Sequence, residues 1–269
     1  MTFTPQGSSV AYRWNEFVRC RSKDGSATAE YNAKDKWVSA RFSYSGAFLA
    51  IGTTSGKVKY FNTNLEGDAA FIGERQGRFH HGVAQGACVT VHSLWSKKLP
   101  ENTKGEFNLV RWKNKVLIFK ITEEEVDNET ELDHEGDICD MAFCNDGKIL
   151  LVGTTKDVYS VWDFYRERKI KEIKGVSFSS QLLTNLRATF APDNNAVALM
   201  GDGKKCLIYD TAELAQHDSD SPRRVTPQNP KVVLEPETKS VSIVWSPDCK
   251  KILLGSWFES FVLDVNTKQ

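Results

Sequence analysis

Short apolar runs alternate with polar turns along most of the chain, and the runs recur in phase. Residues 37–46 (WVSARFSYSG), 138–147 (ICDMAFCNDG), 186–194 (LRATFAPDN) and 241–249 (VSIVWSPDC) align, each ending its apolar stretch on an aromatic: Phe42, Phe143, Phe190 or Trp245. A polar turn follows, then a second apolar run over 47–52, 148–153, 196–201 or 250–255. A third run closes on Asn62, Asp163, Asp210 or Asp264. Strands punctuated by short turn-forming segments predict an antiparallel meander rather than helices or a parallel sheet. The aromatic anchors lie 101, 47 and 55 residues apart, so the first gap holds a fifth unit. Residues 88–94, 106–112 and 115–120 supply it, with an insertion over 95–105 in place of its first tight turn. Ahead of these units, residues 10–14, 17–20 and 27–31 read as further strands.

A period of roughly 40 to 50 residues with several strands per repeat is the signature of propeller blades. The units resemble WD40 repeats over most of the chain, and His134, Gly136 and Asp137 followed by Trp162 and Asp163 form the best single match to the family's Gly-His to Trp-Asp pattern. The resemblance implies an all-β, WD40-like β-propeller as a single domain over 1–269. It would have about five complete four-stranded blades (36–84, 85–132, 133–180, 181–235 and 236–269), with 8–35 a partial sixth blade or ring-closing strands. Ser55, Lys156, Gly203 and Trp257 stand where the family usually has an Asp six residues before the Trp. The family's Asp-His-Ser/Thr-Trp hydrogen bonding is therefore expected to be mostly missing, leaving apolar packing between blades to hold them. Propellers typically have 4 to 8 blades. The length leaves two readings open, a ring of few blades and a fragment of a longer protein, and an unclosed ring would leave sheet edges able to pair with another chain.

Charge narrows the partners. Lys and Arg number 35 and Asp and Glu 35, so the formal net charge is zero, which argues against general binding to nucleic acid or acidic membranes. No apolar stretch approaches the roughly 20 residues of a membrane helix. The six cysteines, at 20, 88, 139, 144, 206 and 249, include no C-x-x-C pair, and reduced buried thiols are expected in a cytoplasmic or nuclear protein.

Candidate contact residues lie in two loops. Trp257, Phe258 and Glu259 fall between the second and third strands of the last unit, a loop that in WD40-like propellers lies on a face that often receives ligands. Large aromatics there would serve as interface anchors. Trp95, Lys97 and Lys98 decorate the 95–105 insertion. The acidic run 123–135 and the basic run 166–174 read as outer strands with solvated faces, and 218–224 as a polar loop with modifiable Ser219 and Ser221. His80 and His81, adjacent and without a supporting ligand at short spacing, do not make a metal site. Residues 201–205 (GDGKK) read as a β-turn rather than a phosphate loop.

No catalytic motif is present, and neither a catalytic residue nor a cofactor is expected. The first expectation is a non-catalytic scaffold that presents propeller loops to a protein or peptide, within a multiprotein complex. The alternative is a guanine-nucleotide exchange propeller for a small GTPase, since 134–148 also looks like a blade of such proteins. A propeller-based hydrolase is the remaining class.

Overall fold

The computed structural model describes residues 2–266 apart from 4–8, 15–16, 23–27, 33–36, 43–45, 54–56, 65–70, 77–89, 94–105, 113, 123–124, 145–146, 165, 175–187, 201–204, 217–229, 235–241 and 257–258. The chain divides into two compact units, Met1–Asp133 and His134–Gln269.

The first unit carries three antiparallel sheets, each strand pairing with its neighbour in sequence. Sheet I is β1 (Thr2–Phe3), β2 (Ser9–Trp14), β3 (Phe17–Ser22) and β4 (Thr28–Asn32). Sheet II follows as β5 (Trp37–Phe42), β6 (Phe48–Thr53), β7 (Lys57–Asn62) and β8 (Phe71–Gln76). Sheet III is β9 (Thr90–Ser93), β10 (Glu106–Trp112), β11 (Lys115–Ile121) and β12 (Val126–Asp133).

The second unit repeats the plan. Sheet IV is β13 (Ile138–Phe143), β14 (Ile149–Thr154), β15 (Val158–Asp163) and β16 (Arg168–Lys174). Sheet V is β17 (Ala188–Phe190), β18 (Ala196–Met200), β19 (Cys206–Asp210) and, after helix α1 (Thr211–Ala215), β20 (Val232–Leu234). Sheet VI has three strands among the described residues, β21 (Ser242–Trp245), β22 (Lys251–Gly255) and β23 (Ser260–Asp264).

Among the described residues the sheet with fewer strands is the last. Residues 8–35, expected as a partial sixth blade or ring-closing strands, carry β2, β3 and β4, and β1 adds a further short strand beside β2. Two residues are too few to display the period-2 alternation by which a strand is read from sequence.

Burial explains why the apolar runs are nearly continuous. β6 and β14 are buried at every position, because both of their faces are covered. Within the first unit, Ala11, Val18, Cys20 and Tyr31 of sheet I pack on Ala40, Phe42, Leu49, Ile51 and Phe61 of sheet II. The other face of sheet II sets Ala50, Val58 and Tyr60 against Leu117, Phe119 and Ile121 of sheet III. In the second unit Ala142, Leu151, Tyr159 and Val161 of sheet IV meet Phe190, Val197, Leu199 and Tyr209 of sheet V, and Leu214 of α1 joins them. Ala198 and Ile208 on the far side of sheet V then receive Ile243, Trp245, Ile252 and Leu254 of sheet VI. Trp245 Nε1 also donates to Thr189 O at 3.0 Å, fastening sheet VI to its neighbour. Burial pushes the thiols of Cys20 and Cys206 up to about 12, so both are protonated at neutral pH.

The turn after each aromatic anchor has one geometry in four sheets. Gly46, Gly147, Asn194 and Cys249, each four residues past the anchor, all take positive φ, at 78°, 77°, 63° and 59°. In three of these turns that residue's amide donates three residues back, Gly147 to Cys144 O, Asn194 to Ala191 O and Cys249 to Ser246 O, at 2.9–3.1 Å. The left-handed region favours Gly and tolerates Asn. Cys249 occupies it without either advantage.

Candidate interaction surface

The local geometry is best built from sheet VI outward. Its register pairs Val244 with Leu253 and Leu253 with Val262, which lines up three apolar side chains across one face. They are 53%, 43% and 60% exposed. In the same register sheet IV aligns Ala142, Leu151 and Val161, and sheet V aligns Thr189, Ala198 and Ile208. Leu151, Val161, Ala198 and Ile208 are buried. Among the described residues, the Val244–Leu253–Val262 row is therefore a sheet face of the same construction that is exposed where theirs is largely buried.

Residues 256–259 connect β22 to β23. Ser256 N donates to Glu259 O at 2.7 Å, and Glu259 N donates back to Ser256 Oγ at 2.9 Å. This closed turn leaves Glu259 exposed at the start of β23. Trp257 and Phe258, its two central residues, lie outside the described residues, as do Trp95, Lys97 and Lys98. The strands flanking that second loop are paired, Ser93 opposite Asn108, so the insertion does replace a hairpin turn. Residues 201–204, His80, His81 and 218–224 also lie outside the described residues.

The charged runs find much of their compensation inside their own units. Lys115 Nζ contacts Glu131 at 2.8 Å and Asp133 at 3.5 Å along β11 and β12. The hydrogen bond to Glu131 is the largest influence holding the Lys115 ammonium above its ordinary pKa. In the basic run Arg166 reaches Asp163 at 3.3 Å and Lys169 reaches Glu172 at 2.8 Å. Buried Lys171 donates to Glu213 O at 2.8 Å, so a residue read as a solvated cation ties β16 to helix α1. Side-chain stems buried with a satisfied head group are common for Lys.

Two residues escaped the sequence reading. Asp140 and Tyr159 are both buried, and the Tyr159 hydroxyl donates to Asp140 Oδ2 at 2.8 Å. They sit on β13 and β15, each opposite Gly153 on the strand between them. With no side chain at Gly153, the phenol spans the central strand to the carboxylate. The recurring Gly at the end of the second apolar run was the available signal. Nearby, His134 packs edge-on against Trp162, with ring centroids 5.2 Å apart. Among the described residues no group of three His, Cys, Asp or Glu side chains is placed to hold a metal ion, and no helix is long and apolar enough to cross a membrane.

No family model matches the chain. A guanine nucleotide-binding protein subunit beta from Schizosaccharomyces pombe is 31% identical over 77 residues, a match spanning 29% of this chain and 24% of that protein. A chain in the crystal structure of a mitotic checkpoint complex superposes over 98% of this chain and 74% of its own length, with a TM-score of 0.67 and 15% identity. At that identity the likeness speaks to fold alone. Repeats in phase, successive antiparallel four-stranded sheets and these two likenesses support a divergent WD40-like β-propeller fold for the chain.

Proposed function

We propose that the chain is a non-catalytic protein-interaction scaffold of the cytoplasm or nucleus, offering its inter-strand turns and the outer face of sheet VI to a protein within a multiprotein complex. The observation that supports this most is the exposed Val244–Leu253–Val262 row beside the Ser256–Glu259 turn. Contiguous exposed apolar side chains next to a turn bearing two aromatics suit a contact surface. The stacked sheets beneath supply the rigidity that such a surface needs, and the sequence adds Trp95, Lys97 and Lys98 as a second contact loop.

The test is affinity capture with the full chain and with a Trp257→Ala/Phe258→Ala variant shown by circular dichroism to be folded. Wild type should retain a stoichiometric protein partner and the variant should lose most of it. Equal retention by the folded variant would remove this turn from the interface. If the recovered partner is a small GTPase whose nucleotide release the chain accelerates, the exchange-factor reading replaces the scaffold.

A further inference from the structure

The face of sheet II that meets sheet III carries one residue foreign to the repeat. Its register sets Arg41 of β5 opposite Ala50 and Ala50 opposite Tyr60, the row that reads Ala142, Leu151 and Val161 in sheet IV and Thr189, Ala198 and Ile208 in sheet V. Ala50 and Tyr60 are buried with Leu117, Phe119 and Ile121 of sheet III, and Tyr60 meets Phe119 edge-on with ring centroids 6.2 Å apart. Strand β9 of sheet III lies against β5 and β6. A guanidinium therefore stands, half-buried, at the head of a row that is apolar in the other sheets apart from Thr189.

The small Ala50, where sheet IV has Leu151, leaves room beside it for an arginine stem. The head group is less well provided for. Nη1 donates to Ala40 O at 3.0 Å, and among the described residues no carboxylate takes up the rest of the donor fork. Burial holds the Arg41 pKa below its ordinary value without removing the charge at neutral pH. A charge taken partly out of water is ordinarily paired, because donors left unsatisfied there cost free energy. Lys57 and Lys59, the remaining bases of β5, β6 and β7, alternate with Tyr60 and so belong to the opposite face, where they reach Glu74 at 2.6 and 3.8 Å.

We propose that Arg41 is a recognition site for a carboxylate, the side chain of an Asp or Glu on a partner protein that docks beside β5 and accepts two parallel N–H bonds from the guanidinium. The planar fork matches the two oxygens of a carboxylate. One unit of positive charge suits a monoanion better than a phosphate dianion, and the apolar flank of Ala50 and Tyr60 strengthens the pairing by lowering the local dielectric. This site is separate from the sheet VI surface, and it rests on the scaffold reading only for the source of the carboxylate.

The probe is sodium acetate, titrated into the full chain with sodium chloride holding the ionic strength constant and followed by the amide chemical shifts of residues 40–42 and 50. Saturable shifts are expected in the wild type. Affinity should fall at least about fivefold in Arg41→Lys, which keeps the charge but not the fork, and saturation should be lost in Arg41→Met. Inorganic phosphate should bind more weakly than acetate. Arg41→Met keeps an apolar stem and removes a desolvated charge, so its melting temperature should stay unchanged or rise. Arg41→Gln, which retains a donor for Ala40 O, serves as the second variant if Arg41→Met does not fold. Absence of saturable acetate binding in the wild type, tighter binding of phosphate, or equal acetate affinity in the Arg41→Lys and neutral variants overturns the proposal. A lowered melting temperature in Arg41→Met with no acetate response in the wild type would assign Arg41 to the fold alone. Acetate binding without a captured protein partner would remove the scaffold reading and keep the site, whereas a captured partner without acetate binding would do the reverse.

Discussion

Ala142, Leu151 and Val161 cross sheet IV as a row sealed under sheet V, while Val244, Leu253 and Val262 cross sheet VI in the same register and face outward. The two rows are similar in chemistry, and the repeat places them identically. What differs is the layer above. Apolar character marks a position as able to be buried, whereas its contribution to stability depends on a surface arriving to exclude water. Sheet IV has that surface within its own unit, whereas among the described residues the sheet VI row stays exposed.

Truncating the middle of each row should give the largest contrast. Leu151 is fully buried, so Leu151→Ala should lower unfolding free energy by about 2–5 kcal/mol, through lost transfer energy and the cavity left behind. Leu253→Ala, at a position 43% exposed, should cost under about 1 kcal/mol. Urea titrations of both variants measure the difference. Equal losses would mean that the sheet VI row is covered in solution.

A second contrast concerns the polar pair beneath the cover. In sheet IV the Tyr159 hydroxyl crosses Gly153 to reach buried Asp140. The corresponding positions in sheet VI are Ser242, Gly255 and Ser260, with both serines exposed. Tyr159→Phe takes a donor from a buried carboxylate and should cost about 1–3 kcal/mol. Ser260→Ala should stay within about 0.5 kcal/mol. Thermal melts of the pair distinguish a buried hydrogen bond from a merely crowded ring, because a neutral Tyr159→Phe would show that the carboxylate does not depend on the phenol.

These contrasts also mark how far the sequence could be read. The aromatic anchors, the second apolar runs and the Asp-terminated third runs located the strands of sheets II, IV, V and VI, because period-2 patterning and turn residues are local signals. β1 was missed because two residues carry no pattern. The row in sheet VI looked like any other core row, since exposure is a property of the neighbouring layer and not of the residues themselves. Lys171 was read as a surface charge for the mirror-image reason, its carbonyl partner at Glu213 being 42 residues away. Asp140 and Tyr159 were legible only as an Asp and a Tyr on separate strands, and it is the register over Gly153 that joins them.

The smallest contrast lies in the turns that start the two sheets' second strands. Gly147 in sheet IV and Cys249 in sheet VI hold the same position four residues after Phe143 and Trp245, with φ of 77° and 59°. A side chain in this left-handed region crowds the carbonyl that follows it and costs about 1–2 kcal/mol relative to a right-handed conformation, a penalty that Gly escapes while losing more chain entropy on folding. Gly147→Ala should therefore destabilise by about 1 kcal/mol, and Cys249→Gly should stabilise by a smaller amount, about 0.5 kcal/mol, with the Cys249 amide still donating to Ser246 O. Opposite shifts of the urea midpoint at unchanged slope are the expected readout. Should Cys249→Gly lower the midpoint instead, its half-buried thiol would be contributing more through packing against the sheet V and VI core than the turn loses through strain.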